Sequence, residues 1–266
     1  MNRITVLFLT LLASLAPMNS SAIIGGEAVQ VSDVLAKSSV GIFQHYLGKW
    51  WFTNCSGSIL TKRIILTAAH CIADEKPKDF IINFSSLQLN YDKNNEITDS
   101  DYLQNNFLTA KVKAIKVHPL FYSENAKLYD IGVLILEEDI PEGLPVTLLT
   151  HELPNDIPHT FTLLGTGILN EMTYTISDVT RKVAVKGILQ DKIIVTDQSQ
   201  GKGACKGDSG GPAFVEINGQ FYQAGIISGP HNSSSCHEQG RLININQMKD
   251  FINEVFQEFE TASKTN

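Results

Sequence analysis

Three short stretches of this 266-residue sequence hold residues that could do chemistry together. The string LTAAHC contains His70, the string DIGVLIL begins at Asp130, and the string GDSGGP contains Ser209. A serine hydroxyl is a weak nucleophile unless a base lies beside it. An imidazole titrates near neutral pH and can be that base, while a carboxylate can fix its tautomer. Ser209, His70 and Asp130 are therefore residue types that could act as nucleophile, base and orienting carboxylate if the fold brings them together.

Short apolar runs separated by Gly, Pro, Asn and Asp must position these residues. The runs have strand length and many β-branched residues, which predicts an all-β sandwich or a pair of barrels. They cover residues 40–43, 58–60, 64–67, 80–84, 112–117, 131–136, 161–164, 182–185, 193–195, 214–217 and 221–227. Helical spacing of apolar residues appears only near the end, at 248–259, and predicts a helix that covers a barrel.

Two polar segments read as long loops. Residues 90–106 are rich in Asp, Asn and Glu, and we interpret them as a solvated surface loop. Calcium binding by this loop is the alternative, because calcium takes oxygen ligands, although the segment lacks the spacing and central glycine of an EF-hand. Residues 153–160 contain two prolines and predict an irregular connection between two halves of the chain.

Composition excludes several classes of protein. Hydrophobic residues make up 43% and charged residues 18%, which fits neither a disordered chain nor a multi-span membrane protein. The net charge of −7 argues against nucleic acid as a partner and against binding to an anionic lipid surface. The length corresponds to one or two globular domains.

The first 22 residues have the pattern of an export signal. Arg3 precedes about 12 largely apolar residues, too few for a bilayer span of about 20, and small residues end the segment at Ala22. We predict a signal peptide at 1–22, a secreted or periplasmic mature chain at 23–266, and no membrane association after cleavage. A buried core helix is the alternative for this segment.

The order His70, Asp130, Ser209 and the motifs around them resemble the trypsin/chymotrypsin-like serine proteases, over nearly all of residues 23–259. The resemblance implies two packed six-stranded antiparallel β-barrels with a C-terminal helix. The barrels would span about 23–140 and 141–247, the helix about 248–260, and the active site would lie between the barrels.

The resemblance also implies the residue roles. Ser209 would form an acyl-enzyme, and the backbone N–H groups of Gly207 and Ser209 would form the oxyanion hole. The activity would be that of a monomeric serine endopeptidase acting on proteins or peptides, open to protein inhibitors, with no cofactor or metal. The competing interpretations are a catalytically silent binding relative and a structural β-protein. For single residues, they are a packed or metal-binding His70 and a turn residue at Ser209.

The four cysteines allow three pairings, and export favours disulfides. The resemblance implies Cys55–Cys71, beside His70, and Cys205–Cys236, beside the specificity pocket. A zinc site is the alternative, although no CxxC pair is present.

Gly203, six residues before the nucleophile, is the expected base of the pocket for P1, the substrate residue whose carbonyl is attacked. Trypsin-like cleavage after Lys or Arg uses an Asp there, so we predict a different preference, for a bulky apolar or aromatic P1. An acidic P1 is the alternative, because His231, Arg241 and Lys206 lie nearby in sequence. The remaining predicted pocket residues are Ala204, Lys206, Ser228 and Gly240.

In the family that this chain resembles, the mature chain starts with an Ile-Val-Gly-Gly-like sequence whose amine pairs with the Asp before the nucleophile. Ile23 begins the string IIGG, and Asp208 would be its partner. Because Ser-Ala precedes Ile23 in place of Lys or Arg, we expect signal cleavage itself to create the active N-terminus. Trimming of a short propeptide is the alternative.

Overall fold

The protein is described by a computed structural model over residues 23–30, 32–46, 50–85, 100–172, 175–177 and 179–264. The predicted signal peptide and residues 86–99 of the predicted surface loop lie outside the described residues. The fold consists of two closed six-stranded antiparallel β-barrels and a C-terminal helix, which confirms the predicted fold class.

The first barrel closes in the order β2-β3-β4-β7-β6-β5. Its interior is filled by Ile and Leu from every wall, and β4 is buried along its whole length. The strands are β2 (Ser39–Tyr46), β3 (Trp50–Ile59), β4 (Ile64–Thr67), β5 (Phe80–Asn83), β6 (Thr109–Val117) and β7 (Gly132–Leu136).

The second barrel closes in the order β11-β12-β15-β14-β13-β8, through pairing of β11 with β8. Buried and exposed residues alternate along β11, which is the period of a strand with one face in the core. The strands are β8 (His159–Gly165), β11 (Arg181–Gln190), β12 (Ile193–Asp197), β13 (Pro212–Ile217), β14 (Gln220–Pro230) and β15 (Gln239–Asn244). Three short strands lie outside the barrels: β1 (Glu27–Ala28), β9 (Ile168–Asn170) and β10 (Thr175–Ile176).

The C-terminal helix α2 (Lys249–Lys264) packs its apolar side on the core that contains the first barrel. Phe251, Ile252 and Val255 are buried there, as their helical spacing predicts. On its polar side, Glu254 accepts a hydrogen bond from Lys116 Nζ of β6 at 2.8 Å. Among the described residues, no helix is both long and apolar enough to cross a membrane.

The predicted surface loop at 90–106 is wrong at its C-terminal end, which forms the short helix α1 (Ser100–Asn106). Leu103 of this helix is completely buried and packs with Phe43, Trp51 and Ile81. The two apolar residues of this helix, Tyr102 and Leu103, are adjacent and show no helical spacing, so the sequence alone did not predict a helix here. The segment at 153–158 is irregular and leads into β8.

Candidate active site

Strand pairing in the first barrel brings His70 and Asp130 together. His70 lies in a 3₁₀ turn directly after β4, and Asp130 stands two residues before β7. Because β4 pairs with β7, with Thr67 opposite Gly132, the end of one strand lies beside the start of the other. Residues 60 positions apart therefore meet at the rim of this barrel.

The Asp130 carboxylate is buried and accepts three hydrogen bonds. Its Oδ2 lies 2.7 Å from His70 Nδ1 and accepts from Ser228 Oγ at 2.6 Å, and its Oδ1 accepts from the His70 backbone N–H at 2.8 Å. Burial alone would raise the pKa of Asp130, but the bonds from His70 and Ser228 outweigh it and lower that pKa. The carboxylate is therefore held ionised and fixes the orientation of the imidazole.

A second layer of polar contacts holds Ser228. Arg241 Nε of β15 donates to Ser228 Oγ at 3.2 Å, and Arg241 Nη1 donates to the Pro230 carbonyl at 3.1 Å. The sequence placed Ser228 in the P1 pocket and Arg241 near it. The structure turns the Ser228 hydroxyl to Asp130 and lays Arg241 along the end of β14.

Ser209 comes from the second barrel, in the connection between β12 and β13. Its carbonyl accepts from Ser56 N–H of β3 at 2.8 Å, a hydrogen bond that joins the two barrels at the nucleophile. Within the described part of the chain, Ser209 Oγ makes no hydrogen bond to His70, whose side chain is 39% exposed. Nucleophile and base often come into full hydrogen-bonding distance only when substrate binds.

Two backbone N–H groups at the nucleophile are free to donate hydrogen bonds to a substrate. Neither Gly207 N–H nor Ser209 N–H has an acceptor among the described residues. Gly207 adopts φ +89°, and its carbonyl accepts from Ser56 Oγ at 3.0 Å. A Cβ on Gly207 would lie 2.6 Å from the Cα of Gly167, so only glycine fits this turn.

Asp208 is completely buried next to Ile23. Its carboxylate accepts from Gly167 N–H at 2.9 Å, from Cys205 N–H at 2.8 Å and from the Ile23 backbone nitrogen. Burial nevertheless outweighs these bonds and raises the pKa of Asp208 to about 7. The structure thus places the two residues of the predicted activation pair in contact.

The predicted pocket residues Gly203 and Gly240 both lie against the Gln198 carboxamide. A Cβ on Gly203 would lie 2.2 Å from Gln198 Cδ, and one on Gly240 would lie 2.7 Å from Gln198 Oε1. Gln198 is buried, donates to the carbonyls of Ala204 and Cys236 at 3.1 and 2.8 Å, and accepts from Ala204 N–H. The sequence analysis missed Gln198, because nothing in its local sequence points to the pocket.

The remaining predicted residues are also located. Disulfides join Cys55 to Cys71 and Cys205 to Cys236. All four cysteine sulfurs are therefore in disulfides. His70 lies close to Cys55–Cys71 and Glu171 lies close to Cys205–Cys236, and both are residue types that can bind metals. Lys206 is exposed, and its carbonyl accepts from Ile168 N–H.

Fold and site together define a class: a double β-barrel in which one barrel supplies a histidine–aspartate pair and the other a serine in a glycine-rich turn. The sequence model of the family described as Trypsin matches residues 23–252. The chain therefore belongs to the trypsin family, which confirms the resemblance.

Several proteins of known class that are similar to this chain are trypsin-like serine proteases. Trypsin beta of Drosophila erecta is 27% identical over 260 residues, covering 91% of this chain and 92% of that protein. Chymotrypsin of Phaedon cochleariae is 28% identical over 197 residues, covering 68% and 64%. Serine protease Hayan of Drosophila melanogaster is 26% identical over 203 residues, 65% of this chain, and the match spans only 30% of that longer protein. In the CLIP domain-containing serine protease B15 of Anopheles gambiae, the match spans 53% of the protein.

Proposed function

We propose that this chain is a secreted serine endopeptidase that hydrolyses peptide bonds of protein or peptide substrates. The observation that carries the proposal is the hydrogen bond of His70 to the buried Asp130 carboxylate, at the same cleft as Ser209 and two backbone N–H groups without acceptors. The serine proteases among its relatives support the same activity. One chain supplies every one of these groups, which supports action as a monomer.

The geometry supports a two-step acyl transfer. Ser209 Oγ attacks the carbonyl carbon and passes its proton to His70, while Gly207 and Ser209 N–H groups donate to the new oxyanion. The imidazolium is stabilised by ionised Asp130 and returns the proton to the leaving amine. Water then repeats the sequence on the acyl-enzyme and releases Ser209. Each oxyanion donor contributes about 10²–10³-fold to turnover in enzymes of this kind.

The P1 residue is proposed to be uncharged. Gly203 brings no charge to the pocket, and the sequence favours a bulky apolar or aromatic side chain. Gln198 would limit the depth of the pocket, because its carboxamide lies against both Gly203 and Gly240 and is held by hydrogen bonds to backbone groups. For the alternative acidic P1, Arg241 Nε and Nη1 are already bonded to Ser228 and Pro230, so only Nη2 would remain for a P1 carboxylate.

The activating N-terminus is proposed to arise when the export signal is removed before Ile23. A free Ile23 amine would put a positive charge beside Asp208, which otherwise lies buried with only backbone donors. Mass spectrometry of the secreted protein tests this proposal, and a mature start anywhere other than Ile23 would contradict it.

A fluorophosphonate probe, which labels activated serines, tests the catalytic proposal. We expect the processed wild type and the Ser123→Ala control, which changes an exposed serine, to be labelled, and Ser209→Ala to remain unlabelled. Equal labelling of wild type and Ser209→Ala would contradict the proposal. Peptides that differ only at P1, with Phe, Leu, Glu or Arg, test specificity, and fast cleavage after Arg would refute an uncharged pocket.

A further inference from the structure

The end of β14 forms an open strand edge that starts at the nucleophile. β14 pairs with β13 only as far as Ile226, and Gly210, the residue after Ser209, donates to the Ile227 carbonyl at 2.7 Å. Beyond Ile227, the described residues provide no strand partner on this side, while β15 pairs with the other side through Pro230. An extended peptide reacting at Ser209 would add to this edge as a further strand.

This edge offers little main-chain hydrogen bonding at its far end. Pro230 has no N–H to donate, and its carbonyl already accepts from Arg241 Nη1. Gly229, at φ +139°, carries no side chain, and an ideal Cβ there would have no heavy atom within 4 Å apart from its chain neighbours. Substrate residues beyond P1 must therefore be recognised mainly through their side chains, in the open space over Gly229.

Positive groups surround that space. Arg241 is half-buried, and its Nη2 makes no hydrogen bond within the described part of the chain. His231 follows Pro230 directly, and Lys127 is exposed three residues before Asp130, whose carboxylate is bonded to Ser228 of β14. Burial, together with the charges of Arg241 and Lys127, lowers the pKa of His231. Asp130, the acid whose charge acts on Arg241, is buried and already bonded to His70 and Ser228.

We propose that Arg241 and Lys127, with His231 between them, form a subsite that binds an acidic side chain at P2, P3 or P4 of the substrate. The subsite lies on the P1 side of the scissile bond, because the open edge runs from Ile227, beside the nucleophile, to Pro230, which pairs with Gly240 of the predicted P1 pocket. Its ligand is a side-chain carboxylate, which can accept a charge-assisted hydrogen bond from the Nη2 of Arg241 that Ser228 and Pro230 leave free. This inference rests on the proposed endopeptidase activity and adds a specificity that the P1 pocket does not supply.

Matched peptides test the subsite with the processed enzyme. Each pair has the same randomised P1 mixture and differs only by Glu or Gln at P2, P3 or P4. We expect kcat/KM to be about fivefold higher for Glu than for Gln at one of these positions, as for an ion pair at a partly exposed site. The ratio should fall in 0.5 M NaCl, because salt screens exposed charges.

Variants assign the preference to its residues. Arg241→Gln should bring the Glu/Gln ratio close to one, Arg241→Lys should keep part of it, and Lys127→Gln should reduce it. Arg63→Gln is the matched control, since Arg63 lies at the turn before β4, at the opposite end of that strand from His70, and should leave the ratio unchanged. The ratio compares two substrates on one enzyme, so a general loss of activity in a variant cancels.

The outcomes separate this inference from the proposed function. Equal cleavage of Glu and Gln peptides at all three positions by the wild type would overturn the subsite and leave the endopeptidase intact. If Ser209 is labelled by the fluorophosphonate but no peptide is cleaved, protection from labelling by the same peptides gives the ratio, and equal protection overturns the subsite. Absence of both labelling and cleavage would refute the endopeptidase and the subsite together.

Discussion

Each barrel contributes one buried aspartate to the site, and the two carboxylates are held in opposite ways. Asp130 accepts from His70 and from Ser228, which in turn accepts from a cation, Arg241, and its pKa is lowered. Asp208 is bonded only to backbone nitrogens, and its pKa is raised to about 7. In the chain that still carries residues before Ile23, the Asp130 carboxylate therefore has side-chain partners that stabilise its negative charge. Among the described residues, the Asp208 carboxylate has only backbone donors and no positive charge beside it.

The difference follows from where each aspartate stands in the fold. Asp130 lies at the start of a barrel strand, so strand pairing fixes its partners. Asp208 lies in a turn between β12 and β13, and its neighbours Gly207 and Gly210 have positive φ angles of 89° and 82°. A turn of this kind depends on contacts from elsewhere in the chain, here from Gly167 and Ile23.

The largest test of this comparison is Asp130→Asn in the processed enzyme. The amide can no longer hold the imidazole in the tautomer that accepts the Ser209 proton, so we expect kcat to fall about 10⁴-fold. Steady-state kinetics gives the loss, and thermal unfolding of the same sample should show a folded protein. A loss under about tenfold would mean that the His70–Asp130 pair is structural.

The second test uses the pH dependence of unfolding of the chain that retains residues before Ile23. The pKa of Asp208 is higher in the folded state than its ordinary value of 3.8, so the folded protein binds this proton more tightly than the unfolded chain. The contribution of Asp208 to the free energy of unfolding is therefore fully present below about pH 4 and is lost as pH rises through about 7. The loss is on the order of 4 kcal/mol.

Urea unfolding at pH 4, 6 and 8 measures this loss. The Asp208→Asn variant of the same chain should show a much weaker dependence between pH 4 and 8, as should the processed protein, whose Ile23 amine supplies the missing charge. The same slope in all three proteins would show that other groups cause it.

The third test compares the two disulfides, one beside each half of the site. In the chain-entropy model, Cys55–Cys71, with a sequence separation of 16, contributes about 3 kcal/mol, and Cys205–Cys236, with a separation of 31, contributes about 4 kcal/mol. Replacing either pair by serines should lower the free energy of unfolding, and the loss of Cys205–Cys236 should lower it more than the loss of Cys55–Cys71. Loss of the second pair should also raise KM, because the Cys236 carbonyl anchors Gln198. Unchanged KM would contradict that positioning role.

The smallest effect is expected far from the cleft, at Lys116. This side chain pairs with Glu254 and Glu258 of α2 at 2.8 and 2.7 Å, and both glutamates are more than half exposed. Exposed ion pairs contribute little, so Lys116→Met should cost less than about 1 kcal/mol and leave kcat/KM unchanged. A clear loss of activity would show that α2 influences the site and that the two aspartates do not act alone.

Much of the fold could be predicted from local patterns. Each of the 11 predicted apolar runs overlaps a barrel strand, and the amphipathic spacing located α2. The strand β15 was missed, because Gly240 and Arg241 interrupt its apolar pattern and it is recognised as a strand only through pairing with β12 and β14. Helix α1 was missed because its apolar residues show no helical spacing, although Leu103 packs in a buried cluster with residues far away in sequence.

The sequence by itself determined the chemistry of the protein: motifs around His70, Asp130 and Ser209 are short enough to be read without a fold. Only the tertiary structure decided how each charge is held. Whether Asp208 ionises, what fills the space between Gly203 and Gly240, and which way Arg241 points depend on contacts between residues far apart in the chain. Burial and hydrogen bonding set those properties, and both arise only when the two barrels close and pack.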